Sequence, residues 1–279
     1  MSCEKYPKPD PSRDQHFVTD IRILEKMVSL ARVGPEDVVL EIGAGAGTLT
    51  ECLSKRGASV IAVESDRRFE ESLRKLKHEN LKVIYGNALE VMKDIEFSKV
   101  VSNIPYSICE PLLNILFRKK FEIAVLSVPE KFYRRISSRP GKAGYSLLAM
   151  KTQSFFNVKF GFRVPRKCFH PEPGTESVVI TLEPLPREDY EKHPEKYIMR
   201  EMFLQRKKKL KNALMEALIN LNRDIFDREF TKNMARDMIR EMRIGSRILE
   251  KRAGESGLED FRKLEEKIQT FLMKASDSC

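Results

Sequence analysis

The chain has 279 residues, 41% of them apolar, enough for one large domain or for a large and a small one around packed cores. Its 51 Lys and Arg outnumber 41 Asp and Glu, and the resulting formal charge of +10 points to a polyanionic partner. The five cysteines (Cys3, Cys52, Cys109, Cys168, Cys279) are scattered, without a C-x-x-C pair or a neighbouring His cluster, which argues against a disulfide framework and against a metal site. No stretch reads as a signal peptide or approaches the length of a membrane span, so a cytoplasmic protein is expected.

Residues 1–13 are rich in Pro, Lys and Asp without periodicity and read as a loosely docked leader. Over residues 21–31, Ile21, Leu24, Val28 and Ala31 recur at helical spacing behind the cap candidates Thr19 and Asp20, which predicts a helix. Short apolar runs then alternate with amphipathic stretches, at 38–42, 60–63, 81–84, 100–102 and 123–128. Strands alternating with helices imply an α/β fold, a parallel sheet with helices on both faces. Two β-rich segments, 155–162 and 177–182, are expected to pair as an antiparallel edge. At Glu183-Pro184-Leu185-Pro186 two prolines close the last strand, and a domain boundary is placed at Pro186. Beyond it, over 187–279, strand signals give way to helical patterns at 199–221, 226–242 and 258–273, which predicts a small all-α domain.

Three strand ends carry candidate chemistry. Glu41-Ile42-Gly43-Ala44-Gly45-Ala46-Gly47 follows the first apolar run, where glycines let a ligand approach the backbone. A dinucleotide fingerprint needs Gly at its first, third and sixth positions, but the sixth residue from Gly43 is Thr48. Glycines at every second position behind an acid fit an S-adenosylmethionine turn instead. The second run ends at Glu64, where a carboxylate accepts from both hydroxyls of a ribose, while Asp66 is better placed as a helix cap. The third leads to Asn87, an acceptor for an adenine amine. After the fourth run stands Asn103-Ile104-Pro105-Tyr106. An amine conjugated to a purine is a poor nucleophile, and a site that uses it must offer acceptors to its N–H groups. The Asn103 amide and the Pro105 carbonyl supply two, and Tyr106 offers a face for stacking. The tetrapeptide alone also reads as a Pro turn beside a core Tyr.

With these residues assembled, the chain resembles the KsgA-type family of ribosomal RNA adenine dimethyltransferases from about residue 15 to 214. Asp14-Gln15-His16-Phe17-Val18 is similar to the family's opening motif, with Asp for Gly and Val for Leu. Glu41 to Gly47 resembles its cofactor turn, Glu64 its ribose acid, and Asn103 to Tyr106 its catalytic loop, with Ile for Leu. Cys168-Phe169-His170-Pro171-Glu172-Pro173 with Ser177-Val178-Val179, and the basic segment 203–214, resemble two later motifs. Asn87 stands where the family usually has Asp, which keeps an acceptor oxygen without the charge and implies weaker binding. Gly144-Tyr145-Ser146 lacks an Arg that the family commonly carries, which bears on local RNA contacts.

The resemblance implies a Rossmann-like S-adenosylmethionine-dependent methyltransferase sheet (residues 1–186) with a helical RNA- or ribosome-binding domain (187–279). The implied reaction is transfer to N6 of two adjacent adenosines near the 3′ end of small-subunit ribosomal RNA. It takes place within a pre-ribosomal small subunit, and the enzyme is expected to be a monomer. Asn103, Pro105, Tyr106 and Phe169 are the expected catalytic residues, with Phe169 covering the second face of the base. The cofactor set is Gln15, His16, Val18, Glu41, Gly43, Gly45, Glu64, Ser65, Asn87, Ala88 and Asn103. Charge places RNA on Arg134 and Arg135 beside the cleft and on Arg206, Lys207, Lys208 and Lys209. Other readings stay open: a large-subunit RNA adenine methyltransferase, a DNA amine methyltransferase, or an RNA-binding assembly factor without turnover.

Overall fold

The computed structural model describes residues 7–276. Cys3, Cys279 and residues 1–6 of the expected leader lie outside the described residues. The rest of that leader is tied down: Pro11–Arg13 forms a 3-10 turn, and the Asp10 carboxylate accepts from the Ser12 N–H at 3.0 Å. The chain divides into two compact units, one of residues up to Arg134 with Asn157–Pro184, the other of Arg135–Phe156 with residues from Leu185 onward. The sequence boundary at Pro186 therefore falls beside the later junction, while Arg135–Phe156, placed by sequence in the first domain, belongs to the second unit.

In the first unit the elements follow the predicted alternation: β1 (Phe17–Val18), α1 (Ile21–Leu30), β2 (Val38–Ile42), α2 (Thr48–Ser54), β3 (Ser59–Glu64), α3 (Glu70–Arg74), β4 (Leu81–Tyr85), α4 (Ala88–Asp94), β5 (Lys99–Asn103), α5 (Cys109–Leu116), β6 (Ile123–Pro129) and α6 (Glu130–Ser137). After α7 (Leu147–Phe155) of the second unit come β7 (Phe156–Val164), β8 (Phe169–His170) and β9 (Ser177–Pro184). Asp20 caps α1 by accepting from the Arg22 N–H at 3.0 Å, as its position before the apolar periodicity predicts.

Seven strands form one sheet in the order β4-β3-β2-β5-β6-β9-β7, and its first five strands are parallel. Parallel neighbours need crossover helices, which cover both faces, so the central strands are apolar throughout: Val39, Leu40 and Ile42 of β2 are at most 1% exposed. Strand β9 runs antiparallel to β6, and β7 flanks it as the edge strand, the two predicted edge segments lying side by side. From β2 the chain winds one way to β3 and β4, and the other way to β5 and β6. Ligands of such sheets bind in the crevice at that reversal, outside the carboxyl ends of the strands. Gly43 and Asn103 stand on its two sides. A separate two-stranded ribbon pairs β1 with β8, Phe17 opposite His170 and Val18 opposite Phe169.

The second unit is helical: α7, α8 (Arg187–Lys192), α9 (Pro194–Leu204), α10 (Leu210–Asp224), α11 (Lys232–Glu241), α12 (Ser246–Leu249) and α13 (Leu258–Ser276). Its core joins Ile198, Met199 and Met202 of α9 to Leu214, Ala217 and Leu218 of α10 and to Leu264 and Ile268 of α13, all fully buried. The helix predicted over 199–221 is two helices, broken at 205–209. Consecutive cations at Arg206 to Lys209 give a helix no apolar stripe there, and the backbone finds other partners: Leu210 N–H donates to Lys251 O at 2.7 Å and Ala253 N–H to Lys208 O at 2.9 Å. The helix predicted over 226–242 starts later, at the Thr231 cap whose hydroxyl accepts from Met234 N–H. Among the described residues no helix is long and apolar enough to cross a membrane.

Candidate active site

The turn after β2 is fixed first by backbone bonds. The N–H groups of Gly43 and Ala44 both donate to Val63 O, at 2.8 and 3.2 Å, which bends the chain over the end of β3. Gly45 has φ +53°, and a Cβ there would stand 2.5 Å from the Phe17 ring, so β1 lies directly on the turn. Glu64 is buried, and its carboxylate accepts from Gly45 N–H and from Asp66 N–H, both at 2.7 Å. The expected ribose acid therefore also shapes the loop that it faces.

Glu41 lies beneath, 2% exposed, and accepts from the Thr50 hydroxyl at 2.6 Å. Burial, with the Glu64 charge adding to it, pushes its carboxyl up to about 8, so at neutral pH it carries its proton. Glu41, Gly43 and Asn103 line a small hollow of about 40 Å³ with Phe17 and Val18. Asp66 caps the turn at Arg67–Phe69, as predicted, and the Arg68 guanidinium, with help from Gln15, holds its carboxyl far below the usual range.

The catalytic-loop candidates converge at the end of β5. Asn103 Nδ2 donates to His16 O at 2.8 Å; a carbonyl can only accept, so the amide orientation is fixed. Its Oδ1 is buried and has no hydrogen-bond partner among the described residues. A buried acceptor left unpaired costs roughly 1–3 kcal/mol, a cost that a ligand N–H removes. Pro105 O accepts from Ile108 N–H at 3.1 Å and, as a weak thiol contact, from Cys109 Sγ at 4.0 Å. The Tyr106 hydroxyl shares a short hydrogen bond with Ser177 Oγ, and its ring stacks on His16 at 5.8 Å between centroids and 27° between planes.

The opening motif is a strap across these strand ends. Gln15 Nε2 donates to Asp66 Oδ2 at 2.9 Å, and His16 Nδ1 lies 2.8 Å from Pro171 O and must carry its hydrogen. The Asp14 carboxylate accepts from Ser107 N–H at 3.0 Å, and Asp14 itself has φ +56°, a conformation that suits the Gly found here in the resembled motif. Val18 is buried at the hollow.

Some candidates stand elsewhere. Phe169, expected to cover the second face of a base, is 3% exposed and belongs to the apolar core, because β1–β8 pairing turns it inward beside Val18. His16 is the ring that meets Tyr106 instead. Asn87 caps α4, its Oδ1 accepting from Leu89 N–H at 3.0 Å, Ala88 begins that helix, and Ser65 is exposed. Arg134 and Arg135 lie on α6, with Arg134 paired to Glu130 at 2.8 Å. In the cation run, Lys208 pairs with Glu216, and Lys209 with Glu250, while among the described residues Arg206 and Lys207 have no carboxylate partner. Sequence reading named Asp14 and Ser177 within motifs but gave them no role in the site, and it missed Thr50; all three act through backbone or hydroxyl contacts that no spacing announces.

A parallel sheet with a glycine turn at its reversal, a buried acid at the next strand end and an unpaired amide oxygen opposite defines a Rossmann-like methyltransferase. The family model for ribosomal RNA adenine dimethylase matches residues 9–246, and the chain belongs to that family. It is 40% identical over 216 residues to the probable ribosomal RNA small subunit methyltransferase A of Methanosarcina acetivorans, covering 76% of this chain and 80% of that protein. With ribosomal RNA small subunit methyltransferase A of Thermotoga maritima the identity is 40% over 203 residues, 72% of each chain. The crystal structure of a dimethyladenosine transferase from Plasmodium falciparum superposes with a TM-score of 0.60 at 26% identity, covering 92% of this chain and 98% of that one.

Proposed function

We propose that this enzyme transfers methyl groups from S-adenosylmethionine to N6 of two adjacent adenosines near the 3′ end of small-subunit ribosomal RNA, within a pre-ribosomal particle in the cytoplasm. Family membership supports methyl transfer to RNA adenine. The observation that carries the site assignment is the buried, unpaired Oδ1 of Asn103 at the end of β5.

S-adenosylmethionine, when bound, supplies an electrophilic methyl group. The residues present fit it: Glu64 retains lone pairs for ribose hydroxyls, Gly43 has a positive φ and no side chain at the mouth of the turn, and Asn103 faces the same hollow. The target adenine leaves its stack, at a cost of a few kcal/mol, and stacking on Tyr106 returns about 1–3 kcal/mol. Ser177 holds the Tyr106 hydroxyl and so anchors the outer end of that ring, while stacking on His16 orients its plane. Asn103 Oδ1 and Pro105 O, the latter in place of its weak Cys109 thiol contact, accept from the amine and draw it toward tetrahedral geometry, which exposes its lone pair and favours positive charge as the methyl arrives. The cationic product is acidic enough to lose its proton to water. For the second transfer one of the two acceptors gives up its hydrogen bond.

Asn103→Ala is expected to abolish transfer of tritiated methyl to unmethylated small-subunit particles while leaving S-adenosylmethionine affinity, read by calorimetry, within a few-fold. Wild-type transfer rates in that variant, or label confined to large-subunit RNA or DNA, would sink this reading. RNA contacts are assigned to Arg134, Arg135 and the segment 206–209, the methyl-transfer chemistry to residues 1–186, and the enzyme is taken to act as a monomer.

A further inference from the structure

A second, open concavity lies away from the hollow, on the far flank of the same sheet. It measures about 720 Å³ and is lined by Glu130, Tyr133 and Arg134 of α6 and by Phe160, Phe162 and Arg163 of β7. Phe160 is 49% exposed, unusual for a large apolar side chain on a strand. Its ring meets that of Tyr133 at 5.8 Å and 48°, an open wedge. Arg134 and Arg163 both reach Glu130 Oε1, at 2.8 and 3.2 Å, with their side chains 71% and 67% exposed. One carboxylate thus holds two guanidiniums at the rim and leaves net positive charge there.

Topology ties this wedge to the catalytic edge. Asn103 lies opposite Ser127 and Pro129 opposite Ser177, so β6 leads from beside the amide directly into α6. Three strand spacings, roughly 14 Å, separate β5 from β7. A few nucleotides of single-stranded chain cover that distance. Solvent-exposed aromatic rings combined with guanidiniums are the chemistry that binds unpaired bases, the rings taking a base face and the cations a phosphate. A protein partner would call for a broader apolar area than one ring pair.

We infer that the Tyr133–Phe160 wedge, with Arg134 and Arg163, is a stacking site for an unpaired nucleotide flanking the target adenosine, an inference that rests on the proposed reaction. The site carries no chemistry; it sets how the RNA strand lies while the adenine sits at Asn103.

The test uses the full chain and two probes, a fluorescein-labelled single-stranded oligoribonucleotide and unmethylated small-subunit particles. Phe160→Ala is expected to weaken oligoribonucleotide binding about tenfold and to raise KM for particles with kcat and S-adenosylmethionine affinity unchanged. Phe160→Trp should restore both. Arg163→Gln should lower the salt slope of binding by about one. Photo-crosslinking of a 4-thiouridine oligoribonucleotide should label the peptide holding Phe160. Unchanged oligoribonucleotide affinity in both variants, or crosslinks confined to other peptides, would overturn the site. Weakened particle binding with intact oligoribonucleotide binding would assign the wedge to a ribosomal protein and overturn it equally. A wild-type chain that crosslinks here yet transfers no methyl would sink the proposed reaction and leave the wedge standing.

Discussion

Glu41 has a carboxyl pushed from an ordinary 4.5 up to about 8 by burial, and this has a sign that stability measurements can read. In the unfolded chain it ionises above about 4.5; in the folded chain it stays protonated to about 8, so the folded state holds the extra proton between these values. Stability contributed by Glu41 is therefore full at the acidic end of that window and is lost as pH rises through it, by on the order of 5 kcal/mol at most. Glu41→Gln keeps an acceptor for Thr50 without a titrating group. Denaturant unfolding between pH 5 and 8.5 should show a markedly flatter decline in the variant. Glu265, also raised by burial, adds a decline common to both proteins, so the difference between them is the readout. Equal slopes would show that Glu41 does not hold its proton. At this scale the glycines, Glu64 and the Asn-Ile-Pro-Tyr loop were legible, because backbone freedom and acceptor chemistry restrict residue type. The Ser177–Tyr106 bond joins residues 71 apart in sequence, and the left-handed Asp14 is a backbone state that composition does not display.

Among the elements, β1 couples most of the site's parts. It is two residues long, pairs among the described residues with β8 alone, and sets Phe17 on Gly45. Gly45→Ala places an L-residue in the left-handed region, worth about 1–2 kcal/mol of strain, and drives its methyl into the Phe17 ring. A lower melting temperature and weaker S-adenosylmethionine binding by calorimetry are expected. Adding Phe17→Ala should relieve the clash but not the strain, so the double variant should recover only part of the loss. Double-variant losses equal to the sum of the two single losses would mean that β1 does not press on the turn. Strands β2 to β6 were readable from sequence, since each is an apolar run closed by turn residues. A two-residue strand offers no period, so β1 and β8 were not. The apolar segment 147–155 of α7 is likewise ambiguous between strand and helix, and the cation run hid the break between α9 and α10.

For the whole molecule the excess of 51 Lys and Arg over 41 Asp and Glu matters through its distribution. Lys209 and Lys211 both grip Glu250, at 2.6 and 3.0 Å, and together hold its carboxyl down to about 2. Lys208 is similarly engaged by Glu216. A cation already facing a carboxylate gains less from a phosphate than one facing water, since binding must first break the existing pair. On the proposed reading, Arg206 and Lys207 should therefore dominate the salt dependence contributed by this segment. Replacing both by Gln should reduce the slope of log affinity for small-subunit RNA against log salt by about two. Replacing Lys208 and Lys209 should change it less, and Glu250→Gln, which frees Lys209 and Lys211, should steepen it. Filter binding across a salt series measures all three. If the Arg206 and Lys207 variant keeps the wild-type slope, phosphate contacts lie on other surfaces, and the +10 charge reports a partner bound elsewhere.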